Sequence, residues 1–328
     1  MRFILPAALI IFLVSPLVAV AQFVGSTSAF SISLDPQYPA PYSQSTLSVL
    51  SSAVDITNAT IAVSVAGKEI YRGNVRPVAI PLGKAGRVTN ARVTVLSSGT
   101  NYSQTLSIQP QDVSLIVEPV SSTHPLYQGK SFVPLEGSVR VVAMANVRNA
   151  SGKALDPANL SYSWMVDDTR ITGSSGIGKN VLIVASPLEY RSRSVSVIVK
   201  SQDGTLTGGA SISFTAMQPL VRIYKNDPLL GILYGHTLSD HYAVNEAEET
   251  LYAVPFSLPI SNGIPFLQWF LSGSAVQEGN SITLRPTGSG HGTASLSLVA
   301  SAGESTRATE NLSLSFGEAP SGFGLFGL

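Results

Sequence analysis

Apolar and polar residues alternate with a period of two along most of this chain. The runs TLSVL (46–50), TIAVSV (60–65), ARVTVL (91–96), SVRVVAM (138–144) and NVLIV (180–184) show it, and SVSVIV (194–199), ASISF (210–214), SITL (281–284), ASLSLV (294–299) and NLSLSF (311–316) repeat it. Successive side chains of a strand point to opposite faces, so this pattern predicts strands with one buried face each. No segment of comparable length repeats every 3.6 residues. Gly, Pro, Asn and Asp cluster between the runs, as turns require, and QDGT (202–205) is the clearest of them. The expected fold class is all-β.

Self-similarity divides the chain further. VSVAGKEI (63–70), WMVDDTRI (164–171) and WFLSGSAV (269–276) share a register: a large apolar residue, a polar turn, and an aliphatic residue seven positions after the first. Gly-containing turns, a short strand and a longer alternating strand follow in each copy, and a closing strand ends it. A spacing of about 100 residues is that of one sandwich domain per copy. The predicted organisation is a first domain over 26–110, a second over 111–217 and a third over 218–317, with breaks near Gln109-Pro110 and Gln218-Pro219. Val63, Trp164 and Trp269 occupy one repeat position inside an alternating strand, which predicts core anchors rather than exposed platforms for sugar rings.

The segments YSWMVDD and SVSVIVKSQDG of the second copy, and LQWFLSG and ASLSLVASAG of the third, resemble the Trp-bearing strand and paired closing strands of PKD and other bacterial immunoglobulin-like domains. The resemblance implies three tandem immunoglobulin-like (PKD-like) β-sandwich domains of a kind found on secreted and cell-surface proteins. It covers about two thirds of the chain well. The first copy departs with Val63 in the Trp position, and Arg193 stands where a Tyr precedes the V-x-V-x-V strand, so the subfamily stays open.

The N-terminus adds an address. Arg2 precedes an apolar run, followed by Ser15-Pro16 and the small-residue pattern Ala19-Val20-Ala21. This is the layout of a secretory signal peptide over 1–21, cleaved after Ala21. The rival is an uncleaved membrane anchor, since residues 3–20 nearly reach the roughly 20 apolar residues a spanning helix needs. Pro6 and Pro16 weaken that helix, and both readings export the rest of the chain. The chain has no cysteine, which excludes disulfides, thiolate metal sites and Cys nucleophiles. Charged residues are 12% of the chain and balance to zero, so no basic field is present to hold nucleic acid.

Candidate chemistry is sparse. GSSGIGKN (173–180) falls one residue short of the phosphate-cradling loop G-x-x-x-x-G-K-[ST], because Asn180 stands at the last position. A working loop opens a helix. Here a strand pattern follows, so Lys179 is expected in a hairpin-type connection without a nucleotide. His236, Asp240, His241 and Glu246, in HTLSDHYAVNEAEE (236–249), are weak candidates for a divalent metal, and a solvated loop is the expectation there. Asp167, Asp168, Asp203 and the acids at 246–249 are the available oxygens for calcium, with Asp167-Asp168 read as a turn. No catalytic motif appears, so neither an enzyme nor a cofactor is expected. After the last strand, Phe323, Leu325, Phe326 and Leu328 make 318–328 an apolar, Gly-rich tail that could dock on a partner.

The resulting expectation is an exported, non-enzymatic structural or adhesive protein of the bacterial cell envelope, with an envelope protein or glycan as partner. One alternative is a glycan-binding module using exposed loop tyrosines such as Tyr127, Tyr234 and Tyr242. Another is an accessory to a pilus or secretion machine.

Overall fold

In the structure, a computed structural model, backbone pairing follows the alternation. It describes residues 29–317 apart from 52, 288–290 and 304. The expected signal segment over 1–21 and the tail residues Phe323, Leu325, Phe326 and Leu328 lie outside the described residues. Among the described residues the only helical element is a single 3-10 turn, and no helix is long and apolar enough to cross a membrane.

The first module contains β1 (Phe30–Asp35), β2 (Gln44–Ser51), β3 (Thr60–Val65), β4 (Lys68–Asn74), β5 (Val78–Pro81), β6 (Thr89–Ser97) and β7 (Thr100–Ile108). They form two antiparallel sheets in the orders β1-β2-β5 and β4-β3-β6-β7. The second contains β8 (Asp112–Pro119), β9 (Ser138–Asn146), β10 (Ser161–Val166), β11 (Thr169–Arg170), β12 (Gly176–Ile177), β13 (Val181–Ala185), β14 (Ser192–Lys200) and β15 (Thr207–Thr215). Its sheets run β13-β9-β8 and β11-β10-β14-β15, with β12 also on β10. The third contains β16 (Leu220–Asp227), β17 (Gly231–Ile232), β18 (Asp240–Val244), β19 (Glu249–Phe256), β20 (Phe266–Leu271), β21 (Ser274–Glu278), β22 (Ser281–Leu284), β23 (Gly292–Ala302) and β24 (Thr306–Phe316). Its sheets run β17-β16-β19-β22 and β18-β24-β23-β20-β21.

The same plan is used three times. One sheet carries the opening strands, and the other is built around the hairpin made by the repeated segment, β3-β4, β10-β11 or β20-β21. This is the immunoglobulin-like sandwich. Each module encloses its own apolar core between the two sheets. The burial of β10 reads iBiBiB, so Tyr162, Trp164 and Val166 point inward together.

The buried tryptophans carry a polar atom into these cores, and both modules satisfy it in the same way. Trp164 donates its indole N–H to the Lys179 carbonyl at 2.8 Å, and Trp269 donates to Gly279 at 2.9 Å. The next residue is Asn in both cases, and its carbonyl accepts a main-chain N–H from the facing sheet, Ala143 to Asn180 and Ala253 to Asn280. Thus each Trp is tied to the connection that carries the chain from one sheet to the other. Val63 fills the equivalent place in the first module, fully buried and with no polar atom to satisfy.

Few residues separate the modules: β7 ends at Ile108 and β8 begins at Asp112, while β15 ends at Thr215 and β16 begins at Leu220. At the first junction Gly86 donates its N–H to the Pro110 carbonyl at 2.9 Å. Its φ is +79°, and a Cβ there would lie 2.3 Å from the Asn149 carbonyl oxygen, so only glycine permits this approach. Gln111 adds a pair of bonds to Arg148, accepting from its N–H at 2.8 Å and donating to its carbonyl at 3.1 Å.

Replacing Trp164 with Ala removes the largest buried side chain of the second module and its tether at once. The expected loss is about 3–5 kcal/mol of stability, read from denaturant unfolding. A Trp164→Ala protein as stable as the wild type would remove the core role.

Candidate functional site

Several sequence candidates are engaged by the protein itself. Trp164 and Trp269 are fully buried and offer no face to a ligand. GSSGIGKN holds β12 and the turn into β13, with no helix after it. Lys179 donates its ammonium to the Gly173 carbonyl at 2.8 Å. The amides of Gly178 and Asn180 donate to the carbonyls of Leu160 and Gly178, both at 2.9 Å. The phosphate-like spacing therefore serves the turn that tethers Trp164. Asp167 and Asp168 both have positive φ, 47° and 62°, and make the tight turn between β10 and β11. Asp167 also accepts from the Ser194 N–H at 2.9 Å and lies 3.3 Å from Arg193, which in turn donates to the Ala185 carbonyl. Asp203 accepts from the Ser201 hydroxyl and from the amide and hydroxyl of Thr205, which hold its carboxyl below the usual range.

The stretch 236–249 departs from its expectation as a solvated loop. Asp240–Val244 is β18, paired in parallel with β24 from Asp240↔Leu312 to Val244↔Phe316. Its local alternation is weak, and the open edge of β24 completes it. Tyr242, expected as an exposed loop tyrosine, instead packs against the third core and donates its hydroxyl to Glu249. Burial, then that carboxylate, raises the Tyr242 pKa far above the ordinary tyrosine value. Glu249 is itself only 3% exposed and also accepts from the amides of Asn245 and Glu246. Glu246 pairs with Lys225 at 2.6 Å, and His241 Nε2 lies 3.1 Å from the Ser315 hydroxyl. His236 sits in the turn between β17 and β18, and Asp240 is exposed at the start of β18. Among the described residues no three His, Asp or Glu side chains gather where they could hold a metal ion.

The region that does gather chemistry is the second junction, supplied by the long connection 120–137 between β8 and β9. This segment leaves the second module and pairs with the third. Ser122 donates its N–H to the Leu258 carbonyl at 2.8 Å, and its carbonyl accepts from Ser257 at 3.1 Å. Met217 donates to Val133 at 2.8 Å, while the fully buried Ser257 hydroxyl donates to the Met217 carbonyl at 3.0 Å. On one flank Glu136 accepts from the hydroxyls of Ser305, in the turn between β23 and β24, and of Thr306, the first residue of β24.

An aromatic cluster fills the space beside these bonds. His124 stacks on Tyr234 with ring centroids 4.3 Å apart and planes within 4°. Tyr127 and Phe132 close on Phe256 of β19, and Tyr224 meets the edge of Tyr234. Tyr127, 36% exposed, is an exposed loop tyrosine as expected, and its ring also meets those of His124, Phe132 and Phe256. Burial raises the Tyr234 pKa above the ordinary tyrosine value. Next to the cluster opens a cleft of about 450 Å³ lined by His124, Pro125, Tyr234, Tyr252, Ile264 and Leu267 among others. Periodicity could not find this site, because its parts come from two modules.

The first junction carries a larger cleft, about 630 Å³, lined partly by Gln109, Asn149, Asp156, Asn159 and Asp203. Much of its polar lining serves local turns: Asn149 accepts from Ser151 and Lys153, Asp156 caps the 3-10 turn, and Gln109 donates to the Gly86 carbonyl.

No protein-family model and no curated protein matches the chain. Several solved structures are similar to it at low identity. The central fibronectin-III array of RIM-binding protein is 8% identical, with 88% of this chain and 96% of that one covered and a TM-score of 0.30. The three N-terminal domains of the bacteriophage RB49 Hoc protein are 13% identical, with coverages of 89% and 99% and a TM-score of 0.23. A Bacteroides ovatus glucan-utilisation protein, SGBP-B, solved with a mixed-linkage heptasaccharide, is 12% identical, with coverages of 84% and 65% and a TM-score of 0.22. At these scores the fold assignment rests on the strand pairing itself.

The Glu136 contact across the second junction has a pH signature. The Ser305 hydroxyl, then the Thr306 hydroxyl, hold its carboxyl below the ordinary value of 4.5. A depressed folded pKa means the contribution is present above the unfolded value and is lost as pH falls through the folded one. Urea unfolding of wild type and Glu136→Gln is therefore expected to differ at neutral pH and to converge well below pH 4.5. A gap that persists in acid would assign the effect to something other than this carboxylate.

Proposed function

We propose that the protein is an exported, non-enzymatic structural or adhesive component of the bacterial cell envelope, acting without a cofactor. The observation that carries this reading is the second junction. Two sandwiches joined by a flexible linker would sample many orientations, but here main-chain bonds run between Ser122 and both Ser257 and Leu258. A pair of modules held that way suits a part that sets the spacing and orientation of what it carries. The balanced charge supports a neutral or weakly charged partner over a nucleic acid or an anionic surface. The apolar tail over 318–328 supplies a candidate segment for docking on an envelope protein.

A second reading, binding of a glycan or envelope polymer, is favoured by the aromatic cleft at that junction. It draws Tyr234 from the expected set, joined by His124 and Tyr252.

The test is made on whole cells. Intact mass and accessibility to added protease are measured together. The proposal expects a chain beginning at Gln22 and cut from outside, or an intact N-terminus retained in the membrane fraction. A protein carrying Met1 in the soluble cytoplasmic fraction would overturn export, and turnover of an envelope polymer by the purified protein would overturn the non-enzymatic role.

A further inference from the structure

Near its start, β15 carries two adjacent glycines, Gly208 and Gly209, inside an unbroken ladder with β14. Glycine weakens a strand interior, because its backbone loses the most freedom on folding and it brings no side chain to pack. Neither residue has the positive φ that would call for glycine on conformational grounds, so what the pair supplies is space. The register of the repeat shows that the pair is particular to this module. Through the intervening strand, Val63, Trp164 and Trp269 line up with Gln104, Ala210 and Glu310. The two residues before these positions are Tyr102 and Ser103 in the first module and Ala308 and Thr309 in the third, where the second has Gly208 and Gly209.

Both spaces are filled from the first junction. A Cβ on Gly208 would lie 2.7 Å from Gln111 Cβ and 2.9 Å from Val113 Cγ2, so the linker and the start of β8 run close over it. A Cβ on Gly209 would lie 2.7 Å from Tyr38 Cδ2, and Tyr38 belongs to the connection between β1 and β2 of the first module. The half-buried Tyr38 ring is therefore seated on bare main chain. Successive strand residues face opposite sides of a sheet, so Gln111 with Val113 and Tyr38 grip β15 from its two faces. The linker has no loose residue either. Gln109 donates its side-chain amide to the Gly86 carbonyl at 2.7 Å, Pro110 accepts from the Gly86 N–H, and the buried Gln111 is bonded twice to Arg148.

We propose that Gly208-Gly209 is a socket that locks the first module onto the second, so that the three modules form one rigid body. Relative motion is the default for domains that share a chain. Here a pinned linker alone would still allow the first module to rock about it, and the Tyr38 seat on the outer face of β15 removes that freedom. The main-chain bonds of Ser122 and Met217 at the second junction continue the same body to the third module. This goes beyond the structural role proposed above, which was argued from the second junction, and it holds wherever the protein acts and whatever it carries.

The test uses spin labels on the full chain, which has no cysteine of its own to compete for them. Exposed positions are labelled in pairs, Thr105→Cys with Ser213→Cys across the first junction and Ser213→Cys with Thr309→Cys across the second, and distance distributions are recorded by double electron–electron resonance. Each pair is expected to give one narrow distribution. Tyr38→Ala, at a residue outside the first module's core, is expected to broaden the first pair's distribution about twofold and to leave the second pair's unchanged. Gly209→Ala is expected to broaden it likewise. The new Cβ would also lie 3.0 Å from the Val197 carbonyl oxygen, so the double variant is the control. If the seat is the cause, adding Gly209→Ala to Tyr38→Ala changes nothing further. A broad distribution in the wild type would overturn the rigid body. A narrow one that Tyr38→Ala leaves unchanged, or effects of the two variants that simply add, would remove the socket.

Discussion

Burial of one apolar face per sheet is what each module depends on, because a chain without cysteine has no disulfide to hold it. The chain contains no cysteine, and among the described residues no acid or histidine cluster could hold an ion. Each sandwich must then bury enough surface by itself; the first two do so largely with Val-x-Val spacing on their inner strands, and the third with Leu-x-Leu on β23 and β24. Serine and threonine at the alternate positions keep the outer faces polar without charge, which explains how so weakly charged a chain can still form clean two-faced sheets. In the second and third modules the tryptophan adds volume at the centre, and its N–H is satisfied by the connection that crosses between sheets.

That connection also accounts for the apparent nucleotide motif. A turn that must place a carbonyl on a buried indole and then deliver a strand to the opposite sheet needs positive φ, and Gly176 and Gly178, at 142° and 70°, supply it. Lys179 folds back on the Gly173 carbonyl, so its charge helps close the turn. A motif spacing alone carried no information about phosphate here; the flanking strands did. The third module reaches the same tether with Gly279-Asn280 and no lysine at all.

Strands whose partners are near in sequence were legible, and contacts across long separations were not. All ten alternating runs fall on strands, with Asn180 just ahead of its own. Trp164 and Trp269 were readable as one repeat position because the hairpin that follows each is local. β18 was missed because its pattern, Asp-His-Tyr-Ala-Val, alternates poorly and its parallel partner lies some seventy residues on. Tyr242 was misplaced with it, since an isolated tyrosine among acids reads as exposed until Glu249 is seen to be buried and to accept its hydroxyl. The second junction was beyond reach for the same reason: Ser122 and Leu258 bond across 136 positions, and neither residue is unusual in its own surroundings.

The junction would also link architecture to any recognition at its cleft. A cleft formed by two modules keeps its shape only if the modules keep their relation. Here the atoms that fix that relation, the main chain of Ser122 and Ser257, are immediate neighbours of the groups that line the cleft, Thr123 and His124. Ordering those side chains has therefore been accomplished during folding, and a ligand would meet a site whose entropy cost is already met. The converse also holds. Loosening the main-chain bonds would enlarge the orientations open to the third module and spread His124 away from Tyr234, so stiffness and binding would be lost together. The proposed structural role and a binding role would thus both depend on one set of hydrogen bonds, and a protein that holds a partner against a fixed frame would need both.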